Sequence, residues 1–157
     1  MSATGGGTRR VIAITGGGSG LGRALAEHYA AQGWAVAITD LVADRAASVA
    51  QAMSARGIEV LAMAADVRDD RSMQQFVDDT VARFGRIDIF VNNAGVAGAG
   101  SLAETSLDDW QWMLDINLMG VVRGCKAVVP QLKRQGFGHV VNIASVHGLV
   151  ASVNKAP

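Results

Sequence analysis

Val11-Ile12-Ala13-Ile14-Thr15-Gly16-Gly17-Gly18-Ser19-Gly20-Leu21-Gly22 decides the fold of this chain. Its first four residues are apolar throughout and read as a buried strand. Beyond the glycines, Leu21, Ala24, Leu25, His28 and Tyr29 recur at helical spacing. A strand, a glycine turn and a helix start together make an anion site. Glycine lets the backbone come close to a ligand, and the first N–H groups of the helix point at it with the positive end of the dipole. Two familiar versions do not fit. Gly-x-Gly-x-x-Gly cannot be placed in any register. Gly17 to Ala24 reads Gly-x-x-x-x-Gly-Arg-Ala, without the Lys and hydroxyl of a P-loop.

Outward from the turn, apolar runs alternate with helical patterns. Ala35-Val36-Ala37-Ile38 is a second strand ending in Asp40. Val42, Ala46, Val49, Ala50 and Met53 mark a helix closed by Gly57. Val60 to Ala64 is a third strand, followed by Asp66-Val67. Met73, Phe76, Val77, Thr80, Val81 and Phe84 form the cleanest amphipathic stripe, and Gly85 stops it. Ile87 to Val91 is a fourth strand running into Asn92-Asn93-Ala94-Gly95. Ser106 to Asp109 is a capping box that opens one long helix. That helix is expected to bury Met113, Leu114, Asn117, Leu118, Val121, Val122 and Cys125, and to end at Pro130 and Gly136. Val140 to Ile143 is a fifth strand, leading to Ser145.

Strands that are apolar throughout and separated by helices predict a parallel sheet covered on both faces, a three-layer doubly wound α/β fold. Ligands of such sheets bind beyond the strands' C-terminal ends. Thr15, Asp40, Asp66, Asn92, Asn93 and Ser145 all fall at such ends.

Composition excludes several classes of function. The 157 residues carry 14 basic and 14 acidic side chains, so nothing suggests a nucleic-acid partner. No apolar run is long enough to span a bilayer. No His/Cys/Asp/Glu cluster has metal-ligand spacing. The single cysteine, Cys125, fits a reducing compartment, and the expected location is the cytoplasm. Met1 to Thr8 is Gly-rich and reads as a flexible tail, with one domain over residues 9–157.

Thr15-Gly16-x-x-x-Gly20-x-Gly22 resembles the cofactor turn of the short-chain dehydrogenase/reductase family, and Asn92-Asn93-Ala94-Gly95 matches a second element of that family. The resemblance runs over nearly the whole chain. It implies a Rossmann-like sheet of strand order 3-2-1-4-5 and NAD-dependent hydride transfer between a secondary alcohol and a ketone, in an enzyme that is usually a homo-oligomer. Gly16, Ser19, Gly20, Leu21 and Gly22 are then the phosphate turn. Asp66 and Val67 form the adenine pocket, and Asn93, Ala94 and Gly95 pass beside the cofactor. Asp40 ends strand two, where a carboxylate binds the adenosine ribose and repels the 2′-phosphate of NADP; capping the next helix is its other reading. Ser145 resembles the residue that polarises the reacting carbonyl. Asn117, in Asp115-Ile116-Asn117, matches an active-site Asn, with a structural hydrogen bond as its alternative.

The family's Tyr-x-x-x-Lys would begin just after Pro157. The sequence therefore reads as an incomplete domain without the later strands, expected to be inactive alone. A non-catalytic NAD-binding module is the second hypothesis. A Rossmann-like methyltransferase is a third, which would need neither the Asn-Asn-Ala-Gly element nor Ser145.

Overall fold

The computed structural model describes residues 9–150; the expected tail at 1–8, and Lys155 with the chain end, lie outside the described residues. Five parallel strands stand in the order β3-β2-β1-β4-β5, as the resemblance implied. They are β1 (Val11–Thr15), β2 (Ala35–Asp40), β3 (Val60–Ala64), β4 (Ile89–Asn92) and β5 (His139–Asn142). The helices are α1 (Gly20–Ala31), α2 (Ala43–Ser54), α3 (Asp70–Phe84), α4 (Leu107–Asn117) and α5 (Met119–Gln135).

The two-residue period of the strands divides the core. Ile12, Ile14, Val36 and Ile38 face one way and pack against α1 and α2 through Ala26, Ala46, Val49 and Met53. Ala13, Ala37 and Phe90 face the other way, against Met73, Phe76 and Val77 of α3 and Ala127 and Val128 of α5. β1 and β2 are buried along their whole length, which is why no polar residue interrupts them before Thr15 and Thr39. Asp69 caps α3 by accepting from the N–H groups of Arg71 and Ser72, and Gly85 closes it in the left-handed conformation.

Two helices differ from their expected faces. In α1 the buried residues are Gly22, Ala26 and Ala30. Leu25 and Tyr29 only flank the core, Leu21 is exposed, and His28 is exposed too. The helix lies so close to the sheet that only small side chains fit beneath it, so the bulky residues that carry the periodic signal are displaced to its flanks.

The expected long helix is two helices, broken at Leu118 (φ −107°, ψ −60°). Met113 and Ile116 are buried in α4, while α5 buries Gly120, Gly124, Ala127, Val128 and Gln131. Leu114, Asn117, Leu118 and Val122, all expected to be buried, are exposed. The cause is again close packing: a Cβ on Gly124 would overlap the Asn92 side chain. Pro130 lies inside α5, and Gly136 alone ends it, in the left-handed region.

Candidate functional site

The glycine turn takes its shape from the loop after β4. Thr15, buried at the end of β1, receives the backbone N–H groups of Asn93 and Ala94 on its Oγ1, each at 3.0 Å. In return Asn93 Nδ2 donates to the carbonyls of Thr15 (3.0 Å) and Gly16 (3.2 Å). The two turns are thus buckled together from both sides. Gly22 sits where they meet, and a Cβ there would collide with the Gly16 carbonyl and with Asn93 Nδ2. This contact explains the need for glycine at that position.

No side chain caps α1: Ser19 is extended, exposed and makes no capping bond, in contrast to Asp69 on α3 and Ser106 on α4. Its first N–H groups face a groove along the C-terminal ends of the strands. The groove has a volume of about 410 Å³ and is walled by Gly16, Ser19, Gly20 and Leu21 of the turn. Asp40, Asp66 and Val67 follow along its length, and Asn93, Ala94 and Gly95 form its other side. Gly22 lies just behind the wall, buried in α1. The expected cofactor residues therefore come together on one surface.

Asp40 is nearly buried, and both of its oxygens are engaged. Oδ2 accepts the N–H of Gly18 at 3.1 Å, and Oδ1 accepts that of Val42 at 3.0 Å. It braces the glycine turn and shapes the chain entering α2, whose N-cap position is Val42 and which carries no side-chain capping bond. Asp66 is held by Arg68, whose backbone N–H, Nε and Nη2 all reach its carboxylate. The Arg68 side-chain hydrogen bonds, helped by the field of Arg123, hold its carboxyl below the ordinary aspartate range against partial burial.

The two expected active-site residues lie off this wall. Asn117 ends α4, and its amide closes two bonds with one backbone residue: Nδ2 donates to the Val96 carbonyl and Oδ1 accepts the Val96 N–H, both at 2.9 Å. It fixes the loop that follows Gly95. Ser145 follows β5, is exposed, and accepts the backbone N–H of His147 at 3.2 Å, opening a short 3₁₀ turn over Val146–Gly148.

Sequence reasoning missed Arg45, Arg68, Trp112 and Ile116, which also line the groove. Arg45 lies in the first turn of α2, five residues beyond Asp40, and Arg68 stands two residues after Asp66, so both were within reach of a spacing argument. Trp112 and Ile116 come from α4, and only tertiary packing brings them here. Trp112 also borders a second cavity of about 370 Å³, formed with Glu104, Thr105, Asp109 and the loop at 98–100.

Among the described residues no helix is long and apolar enough to cross a membrane, and no group of three or more His, Cys, Asp or Glu is placed to hold a metal.

The family model for short chain dehydrogenases matches residues 10–157. Levodione reductase of Leifsonia aquatica is 42% identical over 152 residues, which are 95% of this chain and 57% of that protein. D-threitol dehydrogenase of Mycolicibacterium smegmatis is 41% identical over 142 residues, 90% of this chain and 55% of the relative. A solved structure of a short chain dehydrogenase/reductase from Burkholderia phymatum in complex with NAD superposes with a TM-score of 0.90 at 36% identity, covering 94% of this chain and 53% of that one. The chain spans little more than half the length of these proteins.

Proposed function

The chain belongs to the short-chain dehydrogenase family, and from that premise we propose that its groove holds NAD in an oxidoreductase that interconverts a secondary alcohol and a ketone. One observation carries the reading: an uncapped helix N-terminus, a buried carboxylate at the end of β2 and the buckled Thr15–Asn93 turns all face one groove. The groove fits a dinucleotide chemically. The free N–H groups of α1 receive the pyrophosphate through Gly20, Leu21 and Gly22. Asp40 receives the ribose hydroxyls and opposes a 2′-phosphate, so NAD is favoured over NADP. Asp66 and Val67 meet the adenine, and Asn93 to Gly95 line the path toward the nicotinamide.

When bound, the nicotinamide supplies or accepts the hydride. Ser145 donates its hydroxyl to the reacting carbonyl oxygen and so orients the substrate. Asn117 is a positioning residue that acts through Val96. The one tyrosine of the sequence, Tyr29, lies on α1, away from Ser145 and Asn117, and on this reading the 157 residues by themselves bind the cofactor and do not turn it over. The protein acts in the cytoplasm, and the exposed Leu114, Leu118 and Val122 along α4 and α5 support a homo-oligomer.

Trp112 on the groove wall provides the test. Titration with NADH should quench protein fluorescence, and the natural protein should oxidise secondary alcohols with NAD. Quenching with no turnover on any alcohol or ketone would favour the binding-module reading.

A further inference from the structure

The cavity next to the groove bears on the charge of the substrate, given the reading of the groove itself as the cofactor site. The two hollows share Trp112. The groove follows the loop after β4 as far as Val96, and the second cavity, of about 370 Å³, takes over at Gly98. β4 and β5 pair Asn92 with Asn142, so Gly95 and Ser145 each stand three residues past the same rung of the sheet. The second cavity therefore lies along the direction in which a substrate oriented by Ser145 would extend.

The two hollows differ in charge. In the groove each carboxylate has an arginine beside it: Arg68 holds Asp66, and Arg45 and Asp40 both border Gly18. The second cavity is lined by Glu104 and Asp109 and by no arginine, lysine or histidine. Among the described residues neither carboxylate forms a salt bridge. Serines fix both: Ser101 Oγ donates to Glu104 Oε2 at 2.6 Å, and Ser106 Oγ donates to Asp109 Oδ2 at 2.7 Å. The rest of the wall is the ring of Trp112, the Met113 side chain and a backbone kept low by glycine. A Cβ on Gly98 would come within 3.1 Å of Met113 Sδ, and one on Gly100 within 3.0 Å of Thr105 Oγ1. An aromatic face attracts an ammonium group through the ring quadrupole. Two carboxylates without a counter-charge add to that attraction and repel an anion.

We propose that this cavity selects substrates that carry an organic cation, namely secondary amino alcohols and the matching ketones. The alcohol carbon faces Ser145, and the ammonium head sits against Trp112, Glu104 and Asp109. Neutral alcohols fill the same space without the electrostatic gain, and carboxylate-bearing alcohols are turned away.

The test follows NAD-linked oxidation of three alcohols by the natural protein. They are β-methylcholine, its isostere with tert-butyl in place of trimethylammonium, and β-hydroxybutyrate. The first two differ only in charge. Wild-type kcat/KM should be about tenfold higher for the cation than for its isostere, and β-hydroxybutyrate should be the poorest of the three. Glu104→Gln combined with Asp109→Asn should bring the cation-to-isostere ratio to about twofold or less, chiefly by loss on the cation. Glu104→Gln alone, which leaves the Ser106–Asp109 cap of α4 untouched, should give an intermediate ratio. A wild-type ratio near one, a β-hydroxybutyrate rate equal to or above that of the isostere, or a ratio unmoved in both variants would overturn the proposal. Turnover of none of the three by protein that binds NADH would overturn it too and leave the nucleotide groove standing. Failure to bind NADH would remove the groove reading itself, and the substrate class with it.

Discussion

Along the C-terminal edge of the sheet, the polar groups between β3 and β4 are tied down and those past β5 are not. Thr15, Asp40, Asp66 and Asn93 each make two or more hydrogen bonds within the chain, most of them to backbone. The Ser145 hydroxyl makes one, to a residue two positions away, and every residue from Val141 to Val150 is exposed. The strands follow the same division: β1 and β2 are buried throughout, whereas only Val140 of β5 is partly covered. Holding a cofactor needs a rigid set of dipoles, and one half of this edge is such a set.

The sharpest break between the halves is Ser145→Ala in the natural protein. Turnover should fall about 10²–10³-fold while NADH affinity stays within about twofold; equal losses in both would place Ser145 among the cofactor groups. Gly22→Ala is the converse change. The added methyl meets backbone that has nowhere to go, so nucleotide affinity should fall about 100-fold, or about 2.7 kcal/mol, as read by fluorescence titration. Gly124→Ala meets the buried Asn92 side chain, away from the groove, and should cost about 1–3 kcal/mol of stability in denaturant melts with binding retained.

A smaller effect is expected at Asp40. Asp40→Ala should weaken NADH binding about tenfold and narrow the preference over NADPH. An unchanged preference would confine Asp40 to bracing the glycine turn.

The smallest effect is a pH dependence. Arg68 holds Asp66 below its ordinary value, so the pair favours the folded state most fully above about pH 4, where the unfolded carboxyl is also charged. That advantage is lost as pH falls through the lowered folded value. The melting-temperature difference between wild type and Asp66→Asn should therefore be constant at neutral pH and shrink below about pH 4. A difference that grows on acidification would reverse the assignment.

The five strands were legible because apolar runs bounded by glycine and acidic residues leave little choice of structure. The groove was legible for the same reason: Gly16, Asp40, Asp66 and Asn93 sit where strands end, and topology does the rest. The faces of α1 and α5 were not, because their sheet-facing residues are Gly22, Ala26, Gly120 and Gly124, whose small side chains carry almost no hydrophobic signal. The break at Leu118 was also silent, since neither proline nor glycine marks it. Arg45 and Arg68, near Asp40 and Asp66 in sequence, were passed over, and the fold places both on the groove.

The buckle between Thr15 and Asn93 has a consequence in time. Its bonds join residues 77 to 79 positions apart, so the glycine turn, complete in sequence by Gly22, lacks these supports until β4 has docked. During synthesis the first βαβ unit emerges well before Ala94 and cannot yet present its anion site in final form. The groove wall is therefore completed late, and the turn reaches its final form only after the fourth strand has joined the sheet.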